Sequence, residues 1–224
     1  MNWKYLRVAP WIDTRARFVA GIPKRGRLLD LGSSDGGTLK HIAELRPDLE
    51  LHSSDVAGEP ENYPPHTQFK RSDFDAAALP WPDDYFDAVT CMHVVEHLKR
   101  PQFLIGEAAR VLHAAGRIYV ETPHPRSTEL DSARGDGAGQ VTLNFYDDPT
   151  HVNPVRADSI AAWMRENALD PIQSGVSRNL LFSAAYPLYL IAGSTSRHRY
   201  VAQLHFTGWS SYVIGEKRRR DGNG

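Results

Sequence analysis

The ten residues Leu28-Leu29-Asp30-Leu31-Gly32-Ser33-Ser34-Asp35-Gly36-Gly37 constrain the fold of this chain more than any other stretch. Arg27–Leu31 is a short apolar run suited to a parallel strand buried on both faces. Glycines at 32, 36 and 37 end it in a tight turn, and residues 38–45 continue with helical spacing. A strand, a glycine turn and a helix N-terminus in that order make a crevice for a nucleotide-like ligand. Glycine lets the ligand approach the backbone, and the helix end offers unpaired N–H groups. Asp30 then selects among such ligands, because a carboxylate at the strand end repels a pyrophosphate and attracts an ammonium or sulfonium. The spacing Gly32-x-x-x-Gly36-Gly37 also departs from G-x-G-x-x-G, which argues against a nicotinamide-dependent dehydrogenase.

A chain of 224 residues fits one domain, here taken as residues 1–224. With 26 basic and 27 acidic residues there is no electrostatic footprint for nucleic acid or a membrane surface, and neither is expected as a partner. The single cysteine, Cys91, excludes an internal disulfide and fits a reducing compartment. The N-terminus lacks a signal-peptide apolar region and no apolar run reaches transmembrane length, so a cytoplasmic location is expected. The basic run Lys217-Arg218-Arg219-Arg220 reads as a solvated tail.

Apolar strand candidates at 49–54, 67–71, 86–91 and 116–121 follow the first strand, with a helical pattern at 101–113. This alternation predicts an α/β fold, a doubly wound Rossmann-like and mostly parallel sheet of about seven strands with helices on both faces. The segment 122–154 is too long and too rich in Pro, Gly, Asp and Ser for an ordinary connection. Its cluster Val141-Thr142-Leu143-Asn144-Phe145-Tyr146 predicts a lid that grips something. A helical insert is expected over 155–208. It opens on an amphipathic helix at 156–168 with Ile160, Trp163, Met164 and Ala168 on one face. The apolar stretch 182–192 reads by default as core, with a homodimer face or an acceptor pocket as the other readings.

Four features fall just past successive strands, where open α/β sheets bind ligands. They are Asp30 with its glycine turn, Asp55, Asp73-Phe74, and the run Met92-His93-Val94-Val95-Glu96-His97. An acid at 55 suits a bidentate hydrogen bond to ribose hydroxyls, and Asp73 beside an aromatic ring suits an adenine. With Leu79-Pro80-Trp81-Pro82-Asp83-Asp84-Tyr85-Phe86-Asp87 and Val94-Val95-Glu96-His97-Leu98, the chain resembles the class I S-adenosylmethionine-dependent methyltransferases, in their small-molecule branch. The resemblance is continuous from residue 24 to about 125, and the segment 147–154 resembles the stretch preceding the substrate-covering helix. It implies S-adenosyl-L-methionine as cofactor, with Asp30, Gly32, Ser33, Ser34 and Gly36 around its methionine end. Asp55 would meet the ribose, and Asp73 and the Phe74 backbone the adenine. Met92 and His93 would offer backbone near the sulfonium. Ser34 replaces the family's usual middle glycine, and a serine fits there if its φ is negative.

Methyl transfer is an in-line displacement at a carbon already activated by the sulfonium, so the protein chiefly aligns the acceptor and excludes water. A hydroxyl acceptor must also lose a proton, and histidine is the natural base. His151, at the end of the expected lid, is the first candidate and His97 the second; His124, between two prolines, reads as pocket rim. His93, Glu96 and His97 have i, i+3, i+4 spacing. On a helix they would share a face and, with His151, resemble the metal site of small-RNA 2′-O-methyltransferases. The leading expectation is methyl transfer to a small-molecule hydroxyl without metal. A metal-dependent O-methyltransferase and a cofactor-binding module without turnover are the alternatives. An aminopropyl transferase is disfavoured because no paired acids follow the fourth strand.

Overall fold

The computed structural model describes residues 3–132, 142–194 and 196–219. Among them lie seven strands: β1 Arg27–Leu31, β2 Glu50–Asp55, β3 Gln68–Arg71, β4 Phe86–Met92, β5 Leu112–Pro123, β6 Leu169–Ser177 and β7 Ser210–Lys217. They form one sheet in the order β3-β2-β1-β4-β5-β7-β6. The first five run parallel, and β7 is inserted antiparallel between β5 and β6.

Successive side chains along a strand point to opposite faces, and both faces of this sheet are apolar. Leu29, Leu31, Val89, Cys91, Ile118, Val120 and Val213 join one core, under helices α3 (Pro101–Val111) and α4 (Ala157–Glu166). Leu28, Ala88, Tyr119, Tyr212 and Ile214 join the other, under α1 (Thr14–Ala20) and α2 (Gly37–Leu45). The expected doubly wound sheet is thus present. The helices following β1 and β4 cover opposite faces, so the strand order reverses at β1 and opens a crevice beyond the carboxyl ends of β1 and β4.

The second half departs from its sequence reading in several places. The segment 122–154 is only partly an excursion, since Thr122 and Pro123 belong to β5. Residues 133–141, the centre of the expected lid and its Val141, lie outside the described residues. Leu143 packs against Tyr200 and Leu204, and Phe145 is fully buried, so these two side chains pack into the protein itself, while Tyr146 is 63% exposed. The predicted helix at 156–168 stops at Glu166, and Ala168 is exposed with φ +56° because the chain must turn into β6. Only 180–207 of the expected helical insert is a helical hairpin, of α5 (Leu180–Ile191) and α6 (Arg197–Thr207), since β6 occupies Leu169–Ser177. The core reading of 182–192 is wrong. No residue of α5 is buried, and Leu188 and Ile191 are 67% and 84% exposed. Residues 220–224 of the basic tail lie outside the described residues.

Candidate active site

Asp30 sits in β1, 2% exposed, between β2 and β4. Thr90 Oγ1 donates to its Oδ1 at 2.7 Å, and its Oδ2 is buried without a hydrogen-bond partner. Burial raises the Asp30 pKa from 3.8 to about 7, against the opposing pull of the Thr90 bond. An unpaired buried carboxylate oxygen at a switch point is costly unless a cationic ligand completes it.

The turn after β1 needs two glycines for steric reasons. Gly32 has φ +79° and a Cβ there would collide with Val94 Cγ2; Gly36 has φ +77° and a Cβ would collide with the Tyr63 ring. Ser34 corrects the sequence reading, since its φ is +44° rather than negative. Three hydrogen bonds offset this strain. Its N–H donates to Asp55 Oδ2 at 2.8 Å, and its carbonyl accepts from Glu59 N at 3.1 Å and Tyr63 Oη at 3.0 Å. Ser33 is buried, with its hydroxyl 2.7 Å from that of Tyr63. Tyr63, which the sequence reading missed, therefore braces the whole turn.

Asp55 is the last residue of β2 and accepts from Ser34 N–H and Ala57 N–H. A carboxylate has about four acceptor sites, so capacity remains for ribose hydroxyls. Asp73 is exposed beyond β3 and accepts from Asp75 N–H through Oδ1. The Phe74 ring is 6% exposed within the core, so only its backbone is placed to meet an adenine. Met92 ends β4.

His93 is not where its spacing suggested. It precedes the short turn Val95–His97 and has φ +57°, so His93, Glu96 and His97 do not share a helix face. Its Nδ1 bonds Glu96 Oε1 at 3.1 Å and its Nε2 bonds Glu121 Oε1 at 3.2 Å. Both ring nitrogens face carboxylates and must donate, so the ring is an imidazolium. Burial works against that charge, but the bonds to Glu121 and Glu96 prevail and raise the His93 pKa from 6.5 to about 9. Its backbone N–H is spent on the Glu121 carbonyl at 2.8 Å.

Glu121 is fully buried and pairs with Arg15 from α1, and it also accepts from Tyr119 Oη at 2.5 Å. Burial pushes its pKa up, but the charges of Arg15 and His93 hold it well below the usual carboxylate range. Glu96, also fully buried, spends its second oxygen on Thr122 Oγ1 at 3.1 Å. The pairs satisfy one another inside the protein. A cavity of about 200 Å³ opens beside this network, lined by Arg15, His93, Glu121, His205, Trp209 and Ser210 among others. Arg15 and Glu121 had no sequence signal, because β5 and α1 meet only through the tertiary fold.

His97 and His151 come together, with ring centroids 4.8 Å apart. The Thr150 hydroxyl donates to Asp148 Oδ1 at 2.6 Å and therefore accepts from His97 Nδ1–H at 2.9 Å. His151 Nδ1–H donates to the Phe145 carbonyl at 2.6 Å. In the neutral form each ring therefore keeps Nε2 as its acceptor nitrogen. His151 Nε2 lies 3.9 Å from Asp148 Oδ2, although its side chain is only 5% exposed. Glu96, His97 and His151 each offer a ligand atom within 4.8 Å of the others, so the metal quartet read from spacing reduces to a trio without His93. His124 caps the turn Pro125–Glu129 by accepting from Arg126 N–H through Nδ1. Desolvation, with Arg126 and Arg156 nearby, lowers its pKa.

A family model described as "Methyltransferase domain" matches residues 3–174. Among curated proteins, the chain is 35% identical over 89 residues to the uncharacterized methyltransferase YcgJ of Bacillus subtilis, a match covering 39% of this chain and 32% of that protein. It is 32% identical over 101 residues to the 27-O-demethylrifamycin SV methyltransferase of Amycolatopsis mediterranei, covering 43% and 34%. The matches thus span about a third of these curated relatives' own length. Among solved structures, a SAM dependent methyltransferase from Archaeoglobus fulgidus superposes with a TM-score of 0.62 at 17% identity, covering 96% of this chain and 94% of that one.

Proposed function

The chain belongs to the methyltransferase-domain family, in the class I S-adenosylmethionine-dependent fold, and on that premise we propose that it transfers a methyl group to a hydroxyl of a small-molecule acceptor. S-adenosylmethionine is the family's cofactor, and the residues present suit it. The unpaired Asp30 Oδ2 supplies a partner for the methionine ammonium, the glycine turn admits the backbone approach, and Asp55 keeps acceptor capacity for ribose hydroxyls. Asp73 and the Phe74 backbone are left for the adenine edge. When bound, the cofactor supplies a methyl group whose carbon is already activated by the sulfonium.

The observation that carries the hydroxyl assignment is the pair His97 and His151, whose rings lie 4.8 Å apart and tilted by 54°, both tied through Nδ1–H so that the neutral ring offers Nε2 to a proton. The His151 side chain is 5% exposed and its Nε2 lies 3.9 Å from Asp148 Oδ2, whose carboxylate stabilises an imidazolium in the pair. Burial would raise the Asp148 pKa, but its hydrogen bonds from Thr150 lower it, so it stays charged. His93 is already protonated and serves instead as a fixed cation holding Glu96 and Glu121 in place. The Amycolatopsis relative, named a 27-O-demethylrifamycin SV methyltransferase, supports the same acceptor class. A metal-assisted version is the second reading, favoured by the 4.8 Å trio of Glu96, His97 and His151. The base reading fits better, because the Glu96 carboxylate is already balanced by the His93 imidazolium.

The test is transfer of a labelled methyl group to a panel of hydroxylated aromatic, sugar and polyketide acceptors, with binding followed by calorimetry. Turnover on a hydroxyl supports the proposal. Cofactor binding with turnover only on amines or carbons refutes the oxygen assignment, and absence of binding refutes the whole reading.

A further inference from the structure

A cavity of about 450 Å³ opens between the α5–α6 hairpin and α2, large enough for a small metabolite. It shares Arg15, Val201 and His205 with the smaller cavity at His93, so the two adjoin and reach the carboxyl end of β4. On its other side Thr38 stands in the first turn of α2, directly after the glycine turn. The polar lining is one-sided. Arg197, exposed at the start of α6, lines the cavity and meets no carboxylate among the described residues. Arg15 spends Nε and Nη2 on Glu121, which leaves Nη1 without a described partner. His205 accepts the Asn179 N–H through Nδ1 at 3.1 Å, so Nε2 carries the proton and is a further donor. Burial and the Arg15 charge lower the His205 pKa, which keeps the ring neutral. The acids on these walls are already taken. Asp13 is 6% exposed; its Oδ1 accepts from the N–H groups of Arg15 and Ala16, and its Oδ2 from Asn179 Nδ2. Glu121 is fully buried and held by Arg15, Tyr119 and His93. Both walls also carry flat rings. Trp3 and His41 stack at 5.5 Å on the α2 side, and Phe182 and His205 at 5.7 Å on the hairpin side.

We propose that this space takes a small aromatic carboxylate, with its charged group on Arg197 and its ring against the ring pairs of the walls. The inference rests on the methyl-transfer reading for one point, that this ligand is the acceptor. Donors without free acceptors favour an anion over an amine, and a guanidinium holds a carboxylate through two parallel hydrogen bonds. One guanidinium lacking a carboxylate partner matches a single negative charge, so a carboxylate suits the space better than a doubly charged phosphate monoester. Ring-lined walls gain most contact from a flat apolar body.

The full chain, with and without the demethylated cofactor, is titrated with 4-hydroxybenzoate, 4-hydroxyphenylacetate and 4-hydroxycinnamate, each against its uncharged amide. Binding is followed by calorimetry and by the emission of Trp3 and Trp209, which line the space. At least one acid is expected to bind about tenfold more tightly than its amide. Arg197→Gln should remove that preference by weakening the acid alone. Val201→Phe, which fills the space from α6, should weaken acid and amide together. Arg197 is exposed and Val201 half-buried, so melting and cofactor affinity should keep their parental values, which separates a lost pocket from a lost fold. Three results would overturn the proposal: no acid binds, the amides bind as tightly as the acids, or the preference survives in Arg197→Gln. Absence of cofactor binding would instead strike the methyl-transfer reading, because the acid titrations without cofactor are scored by themselves.

Discussion

Asp30 offers the sharpest test of the cofactor site, because its protonation and the cofactor's cation compete for one buried oxygen. With a pKa of about 7 in the free protein, Asp30 is mostly protonated at pH 5.5 and half ionised at pH 7. If only the carboxylate holds the ammonium, the apparent Kd scales inversely with the ionised population. It should then fall about fifteenfold between those two values, or about 1.6 kcal/mol. The window stays below the range where an α-amino group titrates, so the ligand's own charge is constant across it. Titration calorimetry with S-adenosylmethionine or its demethylated product measures this directly. Asp30→Asn should bind more weakly throughout and lose the pH slope. The same substitution should stabilise the free protein at alkaline pH. A folded pKa above the unfolded 3.8 means that burying the charge costs nothing below that pH and about 4 kcal/mol above pH 7. Asparagine removes the charge but keeps an amide in the same dry place, so a rise in Tm of a few degrees near pH 8, shrinking near pH 5, is expected. A parent Kd that is flat from pH 5.5 to 7, or a variant that keeps the slope, refutes the placement of the ammonium at Asp30.

His97→Ala and His151→Ala should each lower kcat by about 10²–10⁴ with cofactor Kd unchanged, and parental turnover in both would leave alignment as the whole mechanism. A chelator should change nothing, whereas abolished turnover restored by a divalent ion would favour the metal trio. His93 has a folded pKa of about 9 against 6.5 unfolded, so its contribution to stability is complete below 6.5 and lost as pH rises through 9. The Tm of the parent should therefore fall over that window and that of His93→Gln should fall less, as read by melting at a series of pH values. Gly32→Ala, which forces a Cβ into Val94 at φ +79°, should cost about 1–3 kcal/mol in denaturant unfolding and weaken the cofactor; a neutral result would show that the turn relaxes.

Local chemistry made half of this protein readable in advance. The β1 strand, its glycine turn and α2 are set by neighbours in the chain: an apolar run, residues that tolerate positive φ, then helical periodicity. The acids at 30, 55 and 73 follow from their positions at or just beyond the carboxyl ends of successive strands, which alternation alone specifies. What depends on distant segments was not readable. Spacing placed His93 on a helix with Glu96 and His97, but Glu121 from β5 and Arg15 from α1 draw its ring into a buried ion network instead. His97 and His151 meet because the turn after β4 is tied to the segment after Phe145, where Val152 N–H donates to the Glu96 carbonyl at 2.8 Å, and the carbonyl and hydroxyl that set their tautomers come from Phe145 and Thr150. Ser34 takes a left-handed φ because Asp55, Glu59 and Tyr63 supply hydrogen bonds that no local rule foresees. The apolar run at 182–192 shows the limit most plainly. Hydropathy gives a segment's preference for leaving water, but only the packing of α6 against one side of α5 decides that the other side is left without a partner in the chain.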